Sequence, residues 1–138
     1  MPQPDGMPQP PKGMSKWNGL RVGITGVRGS LGQAMARRFQ EAGAEVTGLT
    51  HSTPPSHPEG PIKDWVNWSC GQEQQLKPSL CNLNILVLNH GINPQGDQSI
   101  DALDRALEVN ALSTWRLLQI CEQLAKNGTG PREVWINT

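Results

Sequence analysis

The stretch Leu20-Arg21-Val22-Gly23-Ile24-Thr25-Gly26-Val27-Arg28-Gly29-Ser30-Leu31-Gly32 decides how the chain folds. Leu20 to Ile24 is a short run rich in branched apolar residues, the composition of a strand inside a sheet. It leads directly into glycines at 26, 29 and 32 and then into an amphipathic segment from about Ser30 to Ala42. In that segment Leu31, Met35 and Phe39 recur at i, i+4 and i+8, while Arg37, Arg38 and Glu41 fall largely elsewhere, so a helix with one apolar face is expected. Gly43 follows as its C-terminal cap.

Outward from this strand, turn and helix, short apolar runs keep alternating with helical stretches. Glu45 to Leu49 reads as a second strand, and Pro54, Pro55, Pro58 and Pro61 keep the following loop irregular. Ile62 to Val66 reads as a third strand, and Gly71 to Leu76 as a short helix that stops before Pro78. Ile85-Leu86-Val87-Leu88 suits a strand covered on both faces. The longest helix is expected from Ser99 to Lys126, with Leu103, Ala106, Leu107, Asn110, Thr114, Leu118, Cys121 and Ala125 on one largely apolar face. Gly128, Gly130 and Pro131 end it before a last strand, Val134-Trp135-Ile136. The alternation predicts an α/β fold, a doubly wound parallel sheet of the Rossmann-like kind with about five strands in the order 3-2-1-4-5. Residues 17–138 form one domain of this kind. Residues 1–16 carry five prolines and repeat Met-Pro-Gln-Pro at 1–4 and 7–10, the composition of a disordered tail.

The glycine turn has a direct chemical reading. Gly26 allows the sharp exit from the strand, Gly29 lets a diphosphate approach the backbone, and Gly32 permits close helix-to-strand packing. The first amides of the helix, and the positive end of its dipole, then face the phosphates of a dinucleotide. Thr25, Gly26, Arg28, Gly29, Ser30, Leu31 and Gly32 are accordingly candidate cofactor-binding residues. At the end of the second strand, Thr50, His51 and Ser52 stand where NAD sites place the Asp or Glu that bonds the ribose hydroxyls. With no acid there to repel a 2′-phosphate, and with Arg28 able to bond it, NADP is the expected cofactor and NAD the second choice.

Composition removes other classes. Twelve basic and twelve acidic side chains balance, so no broad pull toward nucleic acid or an anionic membrane is expected. No window approaches the length of a membrane span and no secretory signal is present, which makes a cytoplasmic location the expectation. Cys70, Cys81 and Cys121 form no paired motif and read as reduced thiols. Neither they nor His51, His57 and His90 have the spacing of a metal site.

Three segments resemble the short-chain dehydrogenase/reductase family in the same order along the chain. Thr25-Gly26-x-x-Gly29-x-x-Gly32 is similar to its cofactor motif in the spacing of the extended and divergent members. The main branch spaces its last two glycines by one residue, and Ser30 occupies that earlier position here. Leu88-Asn89-His90-Gly91 resembles the family's Asn-Asn-Ala-Gly turn, with Asn89 and Gly91 matching and Leu88 and His90 departing. The resemblance implies that Asn89, His90 and Gly91 line the adenine and ribose side of the cofactor. It also places Asn67 and Trp68 beside the adenine, with Trp68 either stacked there or packed in the core.

Glu108-Val109-Asn110-Ala111 resembles the helix segment bearing the family's catalytic-site asparagine. The resemblance implies that Asn110 opens the helix locally and holds a water leading to a catalytic lysine. Physically, an asparagine on an apolar face must pair its amide, because an unpaired buried polar group costs about 1–3 kcal/mol. A neighbouring strand's backbone would satisfy it as well, and the two roles are compatible.

The chain contains no tyrosine, and the family's serine would fall at or just past Thr138. The resemblance therefore implies the first half of a family domain, truncated before the proton-transfer group that contributes roughly 10²–10⁴-fold to rate. This chain alone is expected to be inactive. The intact protein is expected to move a hydride between a nicotinamide and a small carbonyl or alcohol substrate, and to form a homo-oligomer through the 99–126 helix. Two alternatives stand beside this: a non-catalytic dinucleotide-binding or regulatory module, and a sugar-nucleotide epimerase-like extended member that shares the glycine motif.

Overall fold

The computed structural model describes residues 15–51, 53–56, 60–92 and 96–137. The expected tail lies outside the described residues apart from Ser15 and Lys16, and so does Ser52.

Five strands, β1 (Arg21–Thr25), β2 (Glu45–Thr50), β3 (Ile62–Asn67), β4 (Ile85–Leu88) and β5 (Glu133–Ile136), form one sheet in the order β3-β2-β1-β4-β5. Every pairing is parallel, as expected of strands separated by crossover helices. β4 is buried along its whole length because both sheet faces are covered. On one face Ile85 and Val87 join Val22, Ile24 and Val46 beneath Ala36 and Phe39 of α1 (Ser30–Glu41). On the other, Leu86 and Leu88 pack with Leu49, Trp68, Leu76 and Leu80. Each fully buried leucine or isoleucine there contributes about 1.5–3 kcal/mol from apolar area removed from water.

Three helical expectations change. The short helix does not stop before Pro78: a 3-10 turn at Glu73–Leu76 runs on into α2 (Lys77–Leu80), and Pro78 occupies its first turn, where a missing N–H costs nothing. Leu31 does not join the core of α1, being 51% exposed; Phe39 is buried and Met35 packs against the core as expected, and Gly32 and Ala36 complete the buried face. The long helix is real but not regular. It consists of α3 (Ile100–Leu107), a π turn at Glu108–Leu112 and α4 (Ser113–Lys126).

A π turn holds one residue more than an α turn. The buried positions after it are Ser113, Leu117, Ile120, Cys121 and Leu124. Of the series expected from an unbroken period, Cys121 is buried and Leu118 packs against the core, whereas Thr114 is half-buried and Ala125 is exposed. Upstream, α3 buries none of its residues, and Leu103 and Leu107 are exposed. Asn110 consequently lies on an exposed position.

The bent rod is tied to the sheet by a buried carboxylate. Glu73 is only 2% exposed, and its oxygens accept from the Trp68 indole at 3.2 Å, the Gly71 amide at 2.9 Å, the Ser113 hydroxyl at 3.5 Å and Arg116 Nη1 at 3.2 Å. Arg116 also pairs with Glu108 at the start of the π turn, which holds Glu108 below the usual carboxylate range. A charge inside a protein persists only where such donors replace its lost hydration.

Candidate functional site

Above the C-terminal ends of β1, β2 and β4 lies a cleft of about 570 Å³. Its walls are the glycine turn (Gly26, Val27, Arg28, Gly29) with the start of α1 (Ser30, Leu31, Gly32), Thr50 and His51 at the end of β2, and the turn Asn89, His90, Gly91 after β4. In open α/β sheets ligands bind in this position, outside the carboxyl ends of the strands where the strand order reverses.

Two of the three glycines are imposed by packing. Gly26 has φ +63, and a Cβ there would lie 2.4 Å from the carbonyl oxygen of Asn89 and 2.9 Å from His90 Cα, so the two turns touch backbone to backbone. A Cβ on Gly32 would meet Gly26 O at 2.4 Å and Val27 Cα at 2.7 Å. Gly29 differs, since a Cβ there makes only an ordinary 3.5 Å contact with Gly26 O. The opening turn of α1, which lines the cleft, has no side-chain cap and no acidic residue, so no side chain takes its first amides or offsets the positive end of the helix dipole.

Thr25 lies beneath this floor, fully buried, with its hydroxyl against the Asn89 and His90 amides at 2.8 and 3.2 Å. Arg28 is exposed at the mouth and donates to the carbonyl of Thr53. Asn67 is exposed at the end of β3 and is not part of the cleft wall. Trp68 is a correction to the adenine-stacking alternative: it is 1% exposed, its indole N–H is committed to Glu73, and it belongs to the core.

Asn110 corrects the expectation of a polar group inside an apolar face. Its amide pairs with the backbone of Ile92 in both directions, Oδ1 accepting from the Ile92 amide at 2.6 Å and Nδ2 donating to the Ile92 carbonyl at 2.8 Å. The π turn therefore presents a side chain that holds the segment after β4. Asn110 and Ile92 also line a second cleft of about 510 Å³ with Leu88, His90, Gly91, Thr114, Ile136 and Asn137, and His90, Gly91 and Ile92 border both clefts.

Sequence reasoning missed Gln33, whose Nε2 donates to Val27 O at 2.8 Å and braces the glycine turn. It also missed Arg105, which brings a second cation to the cleft from α3. Position on the polar side of an amphipathic helix was the available signal, and it does not separate bracing groups from solvated ones. Among the described residues no group of three or more His, Cys, Asp or Glu side chains gathers for a metal, and no helix is long and apolar enough to cross a membrane. All three cysteines are free thiols.

The two histidines of the cleft are held neutral. Burial, reinforced by the nearby His51 ring, lowers His90 to about 4. His51 is lowered chiefly by burial, opposed by Glu73 and assisted by Arg105. The rings lie 5.4 Å apart, and His51 rests on Trp68 at 3.9 Å.

Fold and cleft define a parallel, doubly wound dinucleotide-binding domain. The chain belongs to the NAD dependent epimerase/dehydratase family, which matches residues 22–135. It is 32% identical over 127 residues to the monoglucosyldiacylglycerol epimerase of Synechocystis sp., an alignment covering 87% of this chain and 31% of that protein. The chain thus spans about a third of the length of this curated relative. Among solved structures it is similar to the aldohexose dehydrogenase of Thermoplasma acidophilum (TM-score 0.63, 24% identity, 78% of this chain and 45% of that one). It is also similar to a short-chain dehydrogenase of Leptospira borgpetersenii with bound NAD+ (TM-score 0.64, 21% identity, 80% and 48%). The fold expected from the alternating pattern, including its strand order, and the expected family kinship both hold.

The depressed His90 carries a pH signature. Folding excludes a proton that the unfolded chain binds below about pH 6.5, so the stabilisation is complete above that pH and is lost as pH falls toward 4. Urea unfolding of the wild-type chain and of His90→Asn should diverge across this window, with the wild type losing on the order of 2 kcal/mol more between pH 7 and pH 4. Parallel pH profiles would contradict the buried neutral imidazole.

Proposed function

We propose that the chain is the cofactor-binding part of a sugar-modifying oxidoreductase that inverts a secondary alcohol by oxidising it and re-reducing the resulting ketone. The observation that carries the binding half is the uncapped, acid-free start of α1 facing a cleft in which Gly29 has no Cβ. The epimerase half rests on family membership and on the named activity of the Synechocystis relative.

The residues fit a nicotinamide dinucleotide. The amides of residues 30–32 would hold its diphosphate, the Gly29 amide being bonded to Gly26 O within the turn, and the turn Asn89, His90, Gly91 would form the facing wall. Thr50, His51 and Ser52 would meet a ribose, with Asn67 near the adenine end. A bound nicotinamide supplies a reversible hydride acceptor at its ring C4. Asn110, by fixing Ile92 at the border of both clefts, would position the loop between cofactor and substrate and leave its backbone to carry a water. We assign the proton-transfer groups to sequence outside this chain.

NADP(H) is the preferred form in this reading. No carboxylate stands at the end of β2 to repel a 2′-phosphate, and Arg28 and Arg105 both line the cleft. The enzyme is read as cytoplasmic and homo-oligomeric. Ile100, Leu103, Leu107, Leu112 and Trp115 are exposed, and the extra residue of the π turn lets the 107-to-112 step continue one stripe. That stripe supports pairing with a second copy.

Calorimetric titration of the intact chain should give a lower Kd for NADP+ than for NAD+, and Arg28→Ala should weaken NADP+ about tenfold while changing NAD+ little. Equal affinities, or an equal effect of Arg28→Ala on both, would remove the preference. For a full-length protein carrying this sequence, a glycoside deuterated at the carbon to be inverted should keep its deuterium in the product without net consumption of dinucleotide. Wash-out of the label into solvent would exclude hydride removal and return.

A further inference from the structure

The hydroxyl of Thr25 stands between the two turns that wall the dinucleotide cleft, and its hydrogen bonds can be fully counted. A threonine hydroxyl has one proton and two acceptor sites. The amides of Asn89 and His90 donate to Oγ1 at 2.8 and 3.2 Å, which fills the acceptor sites. His90 Nδ1 lies 2.8 Å from the same oxygen. With both lone pairs taken, only the hydroxyl's own proton can serve this contact, the Val87 carbonyl at 3.4 Å being the longer alternative. Nδ1 therefore accepts, and the proton of the neutral ring sits on Nε2, directed toward Thr114 Oγ1 at 3.5 Å.

We propose that His90 is a positioning residue of the dinucleotide cleft: as its Nε2–H tautomer it accepts the Thr25 hydroxyl proton and clamps the glycine turn against the turn after β4. The clamp lies where clamping has an effect. Gly26 already touches Asn89 and His90 backbone to backbone, so the bond fixes the separation of the two walls rather than bridging a gap. The ring packs against His51 at 5.4 Å and, in a T-shaped arrangement, against Trp68 at 5.7 Å, and it borders both clefts. An Nδ1–H tautomer would point a donor at an oxygen with no lone pair left, so the tautomer carries the effect and ring bulk does not. Asparagine places its Oδ1 close to the position of Nδ1 and can replace the acceptor; glutamine places its polar atoms further out and cannot.

The affinity arm rests on the dinucleotide-binding reading, whereas the tautomer arm stands without it. Long-range ¹H–¹⁵N correlation spectra of the intact wild-type chain near neutral pH should show His90 protonated at Nε2 and bare at Nδ1. The opposite tautomer overturns the clamp. In titrations with NADP+ and NAD+, His90→Gln should raise Kd about tenfold and His90→Asn should stay within about twofold of wild type. Equal loss in both variants, or none in His90→Gln, also overturns it. A wild-type chain that binds neither dinucleotide refutes the binding reading, and the ring spectrum separates that failure from failure of the clamp, including where a variant does not fold.

Discussion

At Gly26 the chain leaves β1 in a left-handed conformation with the Asn89 carbonyl too close for any side chain. That contact sets the direction in which α1 departs, and with it the place where the first helical amides emerge. It also brings the turn after β4 against the glycine turn, so both cleft walls are registered by one backbone meeting. Thr25 ties the same two turns one residue earlier through its hydroxyl. Local conformation, packing and binding geometry are thus one constraint seen at three levels.

A second set of ties reaches the cleft from the opposite face of the sheet. Glu73 gathers Trp68, Gly71, Ser113 and Arg116, and Arg116 passes the connection to Glu108 at the mouth of the π turn. Asn110, on that turn, grips Ile92. A regular α-helix would carry Asn110 round by about 100° relative to the residues after it, so the extra residue is what allows one face to pack on the sheet while this amide points toward the loop. The buried carboxylate lies on the side of the sheet remote from α1, yet through Arg116 and the π turn it is linked to the position of Ile92 at the cleft border.

Much of this was readable in the chain itself. Branched apolar runs separated by helical segments imply parallel strands, and the glycine turn between the first strand and helix places the cleft at the point where strand order reverses. Asn110 was recognisable as an amide needing partners, and it has them in the Ile92 backbone, but the apolar surrounding expected for it does not hold because the residue is exposed. The opening of the helix at Asn110 was implied by the family resemblance and not by periodicity, because a period of 3.6 presumes an unbroken hydrogen-bond ladder; one added residue put Ser113, Leu117 and Leu124 inward and left Leu103, Leu107 and Ala125 exposed. Trp68 was ambiguous for a related reason. A buried indole needs an acceptor, and its acceptor, Glu73, is an acid that sequence alone would place on the surface. Leu31 followed the apolar period of α1 but lies in the helix's first turn, at the cleft mouth, where there is no core to receive it.

The central claim is that the amides opening α1 clasp a dinucleotide's diphosphate, and backbone ¹H–¹⁵N spectra of the intact chain during titration with NADP+ or NAD+ test it most directly. The account expects the largest shifts at Gly29, Ser30, Leu31 and Gly32, with smaller ones at Asn89 to Gly91. Shifts confined to the apolar groove formed by Trp17, Met35, Phe39 and Trp135, with residues 29–32 unmoved, would contradict it.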